Sequence, residues 1–156
     1  QMVSHGLITG ALFLLAGVLH SRAGTYDMGA FGGLASPAPR FAAFFAVAAF
    51  ASLGLPGFSG FIAEFQIFAG SIGAVPLTAL ALPGILITAA LFLRALQRVF
   101  TGEPQGKSRR LADLRPAEAW SAGGLLVLSV LIGLIPVPLL QTISPASASL
   151  VTLLGG

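Results

Sequence analysis

Gly54-Leu55-Pro56-Gly57-Phe58-Ser59-Gly60 lies in the middle of a long apolar stretch: between Arg40 and Pro76 the only ionisable side chain is Glu64. A continuous helix of that length would approach ~50 Å at ~1.5 Å per residue, whereas a hydrocarbon core of ~30 Å needs roughly 20 helical residues. The stretch is too long for one crossing and too short for two. Proline removes a backbone donor, and the glycines around it weaken helix on both sides. One helix broken in mid-membrane, near Gly54–Gly60, accounts for both facts. Irregular backbone at that depth survives only where it is buried in protein or lines a wet cavity, because lipid cannot satisfy the freed amide and carbonyl groups. The break therefore predicts neighbouring helices and water.

Outward from this stretch, the 156 residues are 56% hydrophobic and 8% charged, with a mean hydropathy of +0.95. An ordinary soluble domain carries about 25% charged residues. The chain reads as an all-α, polytopic transmembrane helix bundle forming a single transmembrane region over 1–156. Its spans fall at about 2–20, 41–74 (the broken one), 77–99 and 119–140, each of the others matching one crossing. The formal charge of +3 does not indicate nucleic acid, since the basic residues lie in connections and no aromatic residues alternate with them to stack bases. With no cysteine, thiolate metal sites and iron–sulfur ligation are excluded, and two histidines, His5 and His20, make a metal or haem site improbable. The expected cofactor and metal content of this chain is none. Gln1 opens directly into apolar sequence, which reads as a cut through a longer chain rather than as a signal peptide, because no basic region precedes it.

Arg22 and Arg40 bracket the first connection, and Arg94, Arg98, Lys107, Arg109, Arg110 and Arg115 lie at or in the third. If the broken stretch is one crossing, every Lys and Arg falls on one face, the cytoplasmic one by the positive-inside rule. Counted as two crossings, it would separate these groups. Trp120 marks the interface where the last span enters. The glycines and prolines of 21–40 suggest an ordered loop without regular elements, and the segment after Gln141 is assigned to the interface.

Glu64 is the residue most suited to chemistry. A carboxylate in a membrane segment costs about 2.5 to 3.5 kcal/mol on insertion scales, so something must compensate. It lies five residues after Ser59, within the first turns of the second half-helix, where unpaired amides and the helix dipole favour negative charge while burial opposes it. Such opposed influences can leave a group able to take and release protons; the other reading is a structural ion pair or a neutral acid donating one hydrogen bond. His5 suits a proton relay if a wet path reaches it, or a hydrogen bond to a neighbouring helix. Gly6 and Gly10 form a Gly-x-x-x-Gly pair that admits close helix packing. His20 reads as interfacial, Arg94 and Arg98 as reaching head groups, Pro83-Gly84 as a kink, and 107–115 as a topology determinant or a contact for anionic lipid or another subunit. The phenylalanines of 41–50 read as packing residues. Ser4 and His5 point to different helix faces and form no nucleophile and base pair, and 57–60 lacks the Lys-Ser/Thr ending of a phosphate loop.

The string Ala51-Ser52-Leu53-Gly54-Leu55-Pro56-Gly57-Phe58-Ser59-Gly60-Phe61-Ile62-Ala63-Glu64-Phe65 resembles the broken-helix signature of the antiporter-like subunits of respiratory complex I, of the M or chain-4 type. The likeness extends through Gln1–Gly6, Ala11–Gly17, Arg22, Gly24, Thr25, Asp27 and Gly32-Gly33-Leu34, strongest over 1–73 and weaker in the last helix. It implies a fourteen-helix protein with two inverted repeats, of which this chain would be the last four helices, in a bacterial plasma membrane or an equivalent energy-transducing membrane. Glu64 then falls on the glutamate of the second discontinuous helix, where sister subunits usually have lysine, and His5 on a histidine of the central hydrophilic axis. Tyr26 departs from the pattern, standing where arginine is common.

The resemblance implies a proton-translocating membrane-arm subunit of NADH:quinone oxidoreductase. Glu64 would exchange protons with the outward face and receive them through water and His5 from a lysine in the first repeat. NADH, flavin, iron–sulfur clusters and quinone would belong to other subunits; the partners implied are those membrane-arm subunits, the lipid bilayer and protons. The rivals are a subunit of a multisubunit cation/proton antiporter or membrane hydrogenase, and a non-transporting scaffold. A charge beside a helix break disfavours the scaffold, since passive packing has little reason to retain it.

Overall fold

Prolines and glycines punctuate the helices. The computed structural model describes residues 1–154. Helix α1, Met2–Ala23, stops at Gly24, whose left-handed backbone (φ 71°) lets its N–H reach the His20 carbonyl. Helix α2, Pro39–Ser52, and α3, Ser59–Ala74, flank the interruption. A 3₁₀ turn, Pro76–Ala81, leads into α4, Pro83–Phe100, so the expected kink at Pro83-Gly84 is a change of helix type. Helix α5, Pro116–Leu134, and α6, Val137–Leu153, complete the chain. Helices α2, α4 and α5 all begin on proline, whose fixed φ suits the first helical position and whose missing N–H is not needed there.

Helix α1 is the centre of the bundle, packing along α5 and α2, while α5 also lies against α3. Ala11, Leu15, Phe41 and Ala48 are fully enclosed, together with Leu126 at 5% exposure. Gly10 permits close approach to α5, since a Cβ there would meet the Leu125 side chain at 3.4 Å; Gly6, its expected companion, faces open space. The phenylalanines do pack: Phe41 and Phe45 lie 6.0 and 5.1 Å from Phe100, between ring centroids, tying α2 to the end of α4. The outer surface is apolar, with Phe13 74% and Leu86 73% exposed, as expected where the solvent is lipid. Among the described residues three helices are long and apolar enough to cross a membrane: Met2–Ala23, Pro76–Phe100 taken with its 3₁₀ turn, and Pro116–Leu134.

The two connections that carry the basic residues are bound together. Two-residue strands β1, Phe31–Gly32, and β2, Gln105–Gly106, pair antiparallel with Phe31 opposite Gly106. Arg22 donates to the carbonyls of Ala112 (2.7 Å) and Asp113 (3.0 Å) and pairs with Glu118. The Asp113 carboxylate accepts from the N–H groups of Arg40 (3.1 Å) and Phe41 (2.9 Å), capping α2 from 72 residues away. Both connections thus lie on one face, so the chain between them crosses an even number of times. Helices α2 and α3 lead away from that face and α4 returns to it.

Two expectations are corrected. The first connection is not devoid of regular structure: it holds β1 and a 3₁₀ turn, Met28–Ala30, because its backbone finds partners in the third connection and the end of α4, including Gly33 N–H to the Thr101 carbonyl at 2.9 Å. The last apolar stretch does not run to residue 140 as one helix. Ile135 leaves the helical region (φ −129°, ψ 70°) because it precedes Pro136, and α6 then carries the chain onward to Leu153 with Pro145 inside it.

Candidate functional site

The interruption between α2 and α3 is a closed set of short turns. The Ala49 and Phe50 carbonyls accept from Leu53 N–H, the Ala51 carbonyl from Gly54 N–H at 3.2 Å, and the Leu55 carbonyl from Phe58 N–H at 3.2 Å. Half of the backbone problem posed by a mid-membrane break is solved locally. Packing solves the rest. A Cβ on Gly60 would stand 2.8 Å from the Ala51 carbonyl and 3.5 Å from the Ile8 Cδ1 of α1, so the half-helices meet backbone to backbone there and the Ile8 side chain packs against them. Gly133 of α5 does the same from the other side: a Cβ on it would strike the Gly57 carbonyl and the Phe58 backbone.

Ser59, the first residue of α3, ties this arrangement together through side chains. Its hydroxyl lies 2.8 Å from that of Ser4 on α1 and 2.8 Å from that of Ser129 on α5. All three serines are buried, at 5% exposure or less. Three hydroxyls in a chain satisfy one another within an apolar bundle, where each would otherwise carry a desolvation penalty.

Glu64 occupies the sixth position of α3 and is half-buried. Its carboxylate folds back over the interruption: a Cβ on Gly54 would stand 2.5 Å from Oε2 and 3.2 Å from Cδ. Gly54 itself is in the left-handed region, φ 69°. One glycine therefore both turns the chain and clears the space that the acid occupies. The carboxylate also faces a cleft of about 290 Å³ between α3 and α4, whose polar contributors are Gln1, Ser52 and Thr88 and whose apolar wall includes Ile67 and Phe68. Such a cleft admits several waters. Among the described residues no basic nitrogen lies within 4 Å of the Glu64 carboxylate.

His5 is placed differently. It is exposed, whereas the neighbouring Ser4 is buried, lines neither this cleft nor the one beside Ser59, and makes no hydrogen bond to Glu64 among the described residues. The structure does not bring the two sequence-derived site residues together. Ser4, Ser59 and Ser129 were not singled out by sequence for this role; a serine at the first position after the break was the only available signal. Interfacial His20 stacks on Tyr26, ring centroids 4.1 Å apart, and Arg94 and Arg98 are exposed.

A crossing interrupted at mid-length, with an acid folded onto the interruption and helices sealing its backbone, places the molecule among the transporter-like membrane bundles built on discontinuous helices. More narrowly, the chain belongs to the family described as NADH:quinone oxidoreductase/Mrp antiporter, TM, whose model matches residues 1–91. Among curated proteins it is 38% identical to NAD(P)H-quinone oxidoreductase chain 4 2 of Thermosynechococcus vestitus, over 91% of this chain and 28% of that protein. It is 35% identical to NADH-quinone oxidoreductase subunit M of Mycobacterium tuberculosis, over 99% of this chain and 28% of that protein. The chain spans less than a third of the length of these relatives. Among solved structures, respiratory complex I from Thermus thermophilus with bound NADH matches with a TM-score of 0.83 and 40% identity, over 96% of this chain and 32% of the matched one. The chain is an integral, multi-pass membrane protein.

Proposed function

We propose that this chain is the C-terminal part of an M-type, proton-translocating membrane-arm subunit of NADH:quinone oxidoreductase. Redox work in other subunits drives protonation changes at Glu64, and no redox centre resides in this chain. The observation that supports this reading is the Glu64 carboxylate lying against Gly54 at the break, beside a cleft large enough for water and with no basic residue of this chain to neutralise it. An acid held so can bind a proton and lose it without unfolding its helix. His5 serves as a relay from the exposed side of α1, and the partners are the other membrane-arm subunits. The family description also covers cation/proton antiporters; the relatives named above favour the oxidoreductase.

Glu64→Gln and Glu64→Ala in the assembled complex test the assignment, with protons pumped per electron as the readout. Both variants are expected to assemble and to pump less per electron. Normal assembly with an undiminished ratio in both would remove Glu64 from the proton path.

A further inference from the structure

We propose that the basic face carries a binding pocket for a phosphate-bearing anion, filled in the membrane by the phosphodiester head group of an anionic lipid. A concavity of about 460 Å³ is lined by Arg22, Gly106, Lys107, Arg109, Arg110 and Arg115. Five of the nine residues that line it are cationic. Of the two acids nearest in sequence, Glu118 pairs with Arg22 at the pocket's edge and accepts from the Arg115 N–H (2.8 Å), and Asp113 is taken up by the N–H groups of Arg40, Phe41 and Leu114. Among the described residues no carboxylate oxygen lies within 4.0 Å of the charged ends of Lys107, Arg109, Arg110 or Arg115. Among the described residues four of the pocket's cations, Lys107, Arg109, Arg110 and Arg115, thus have no ion-pair partner, while the fifth, Arg22, is paired with Glu118.

The wall is also fixed in place. Lys107–Arg110 form a 3₁₀ turn pinned by two buried residues. Ser108, fully enclosed, accepts from the Gly32 N–H at 3.1 Å, and Leu111 is 6% exposed. The Arg109 Nε donates to the Pro104 carbonyl at 3.1 Å, holding that guanidinium at the rim. A preorganised cluster of arginines suits the oxygens of a phosphate.

Position selects the source. The pocket opens where α1 ends and α5 begins, beside Ala23 and Arg115, and Trp120, 78% exposed on the first turns of α5, marks the same level. That is the depth of lipid head groups, and on a basic face anionic lipids are the nearest abundant phosphates. The assignment rests on the membrane topology alone and is independent of proton transport.

The test uses the complex containing the full-length chain in nanodiscs that carry a trace of photoreactive phosphatidylglycerol or, separately, photoreactive phosphatidylcholine. Labelled peptides are mapped by mass spectrometry. The anionic probe is expected to label 104–116 several-fold more than the zwitterionic one. Lys107→Gln and Arg110→Gln should each lower that labelling about fivefold, and Lys107→Arg should keep it. Loss of labelling on adding inorganic phosphate, but not chloride of equal ionic strength, would assign the pocket to free phosphate and overturn the lipid source while keeping the chemistry. Equal labelling by both probes, or no labelling because another subunit covers the pocket, overturns the proposal.

Discussion

A methyl group at position 54 would meet two obstacles: a backbone held at φ 69° and a carboxylate oxygen 2.5 Å away. The first costs about 1–2 kcal/mol for any residue with a Cβ. The second displaces Glu64. Gly57 separates the two effects, since its φ is 102° but a Cβ there would meet nothing within 4 Å. Gly54→Ala is therefore expected to lower the pumping ratio toward that of Glu64→Gln, whereas Gly57→Ala destabilises the protein but pumps near the wild-type ratio when assembled. Measuring protons per electron in both variants decides the matter, and equal ratios would show that the contact between Gly54 and Glu64 has no part in transport. Glu64 was legible in the sequence because an acid in an apolar stretch is conspicuous. Its direction was not, because the return of a side chain over a preceding turn depends on the dihedral angles of that turn.

At the scale of elements, the seal on the break is made by α5, with Gly133 against Gly57-Phe58 and Ser129 against Ser59. Gly133→Ala is expected to cost about 1–3 kcal/mol, as other overpacked contacts do. A drop in thermal unfolding temperature reports this; Gly124→Ala, with open space at that position, should cause none. The break itself could be read from Pro56 and its flanking glycines, because those residues act through their own backbones. The serine chain could not, since Ser4 and Ser129 stand 55 and 70 residues from Ser59 and their meeting depends on how three helices are rotated. Helix α6 was missed for another reason: hydropathy continues unchanged through Ile135-Pro136, while the pre-proline restriction acts on geometry alone. The same limit applies to His5, since sequence does not show which helix face it occupies.

At the scale of the whole molecule, the basic end is cross-linked. Asp113 makes two of these links. Burial raises the pKa of its carboxyl, but the N–H groups of Phe41, Leu114 and Arg40 and the Arg40 charge outweigh that and hold it below the usual aspartate range. A lowered folded pKa contributes stability above the ordinary aspartate value and loses it as pH falls through the folded value. Asp113→Ala should therefore destabilise the solubilised protein by about 2–3 kcal/mol near neutrality, and its gap from wild type should narrow on acidification. Thermal unfolding followed against pH checks this, and a gap that widens in acid would contradict it. The placement of both connections on one face was legible from the distribution of Lys and Arg; their physical latching was not, because hydrogen bonds between distant loops leave no trace in local composition.

The serine contact also has a consequence for biosynthesis. Ser59 leaves the ribosome 70 residues ahead of Ser129, an interval on the order of ten seconds at ordinary elongation rates. Throughout it the interrupted segment has α1 on one side and nothing of α5 on the other. Insertion must therefore shelter that segment, in the translocon or against earlier helices, until the last partner emerges, and a nascent chain stalled before Ser129 would expose its unsealed turn to the insertion machinery.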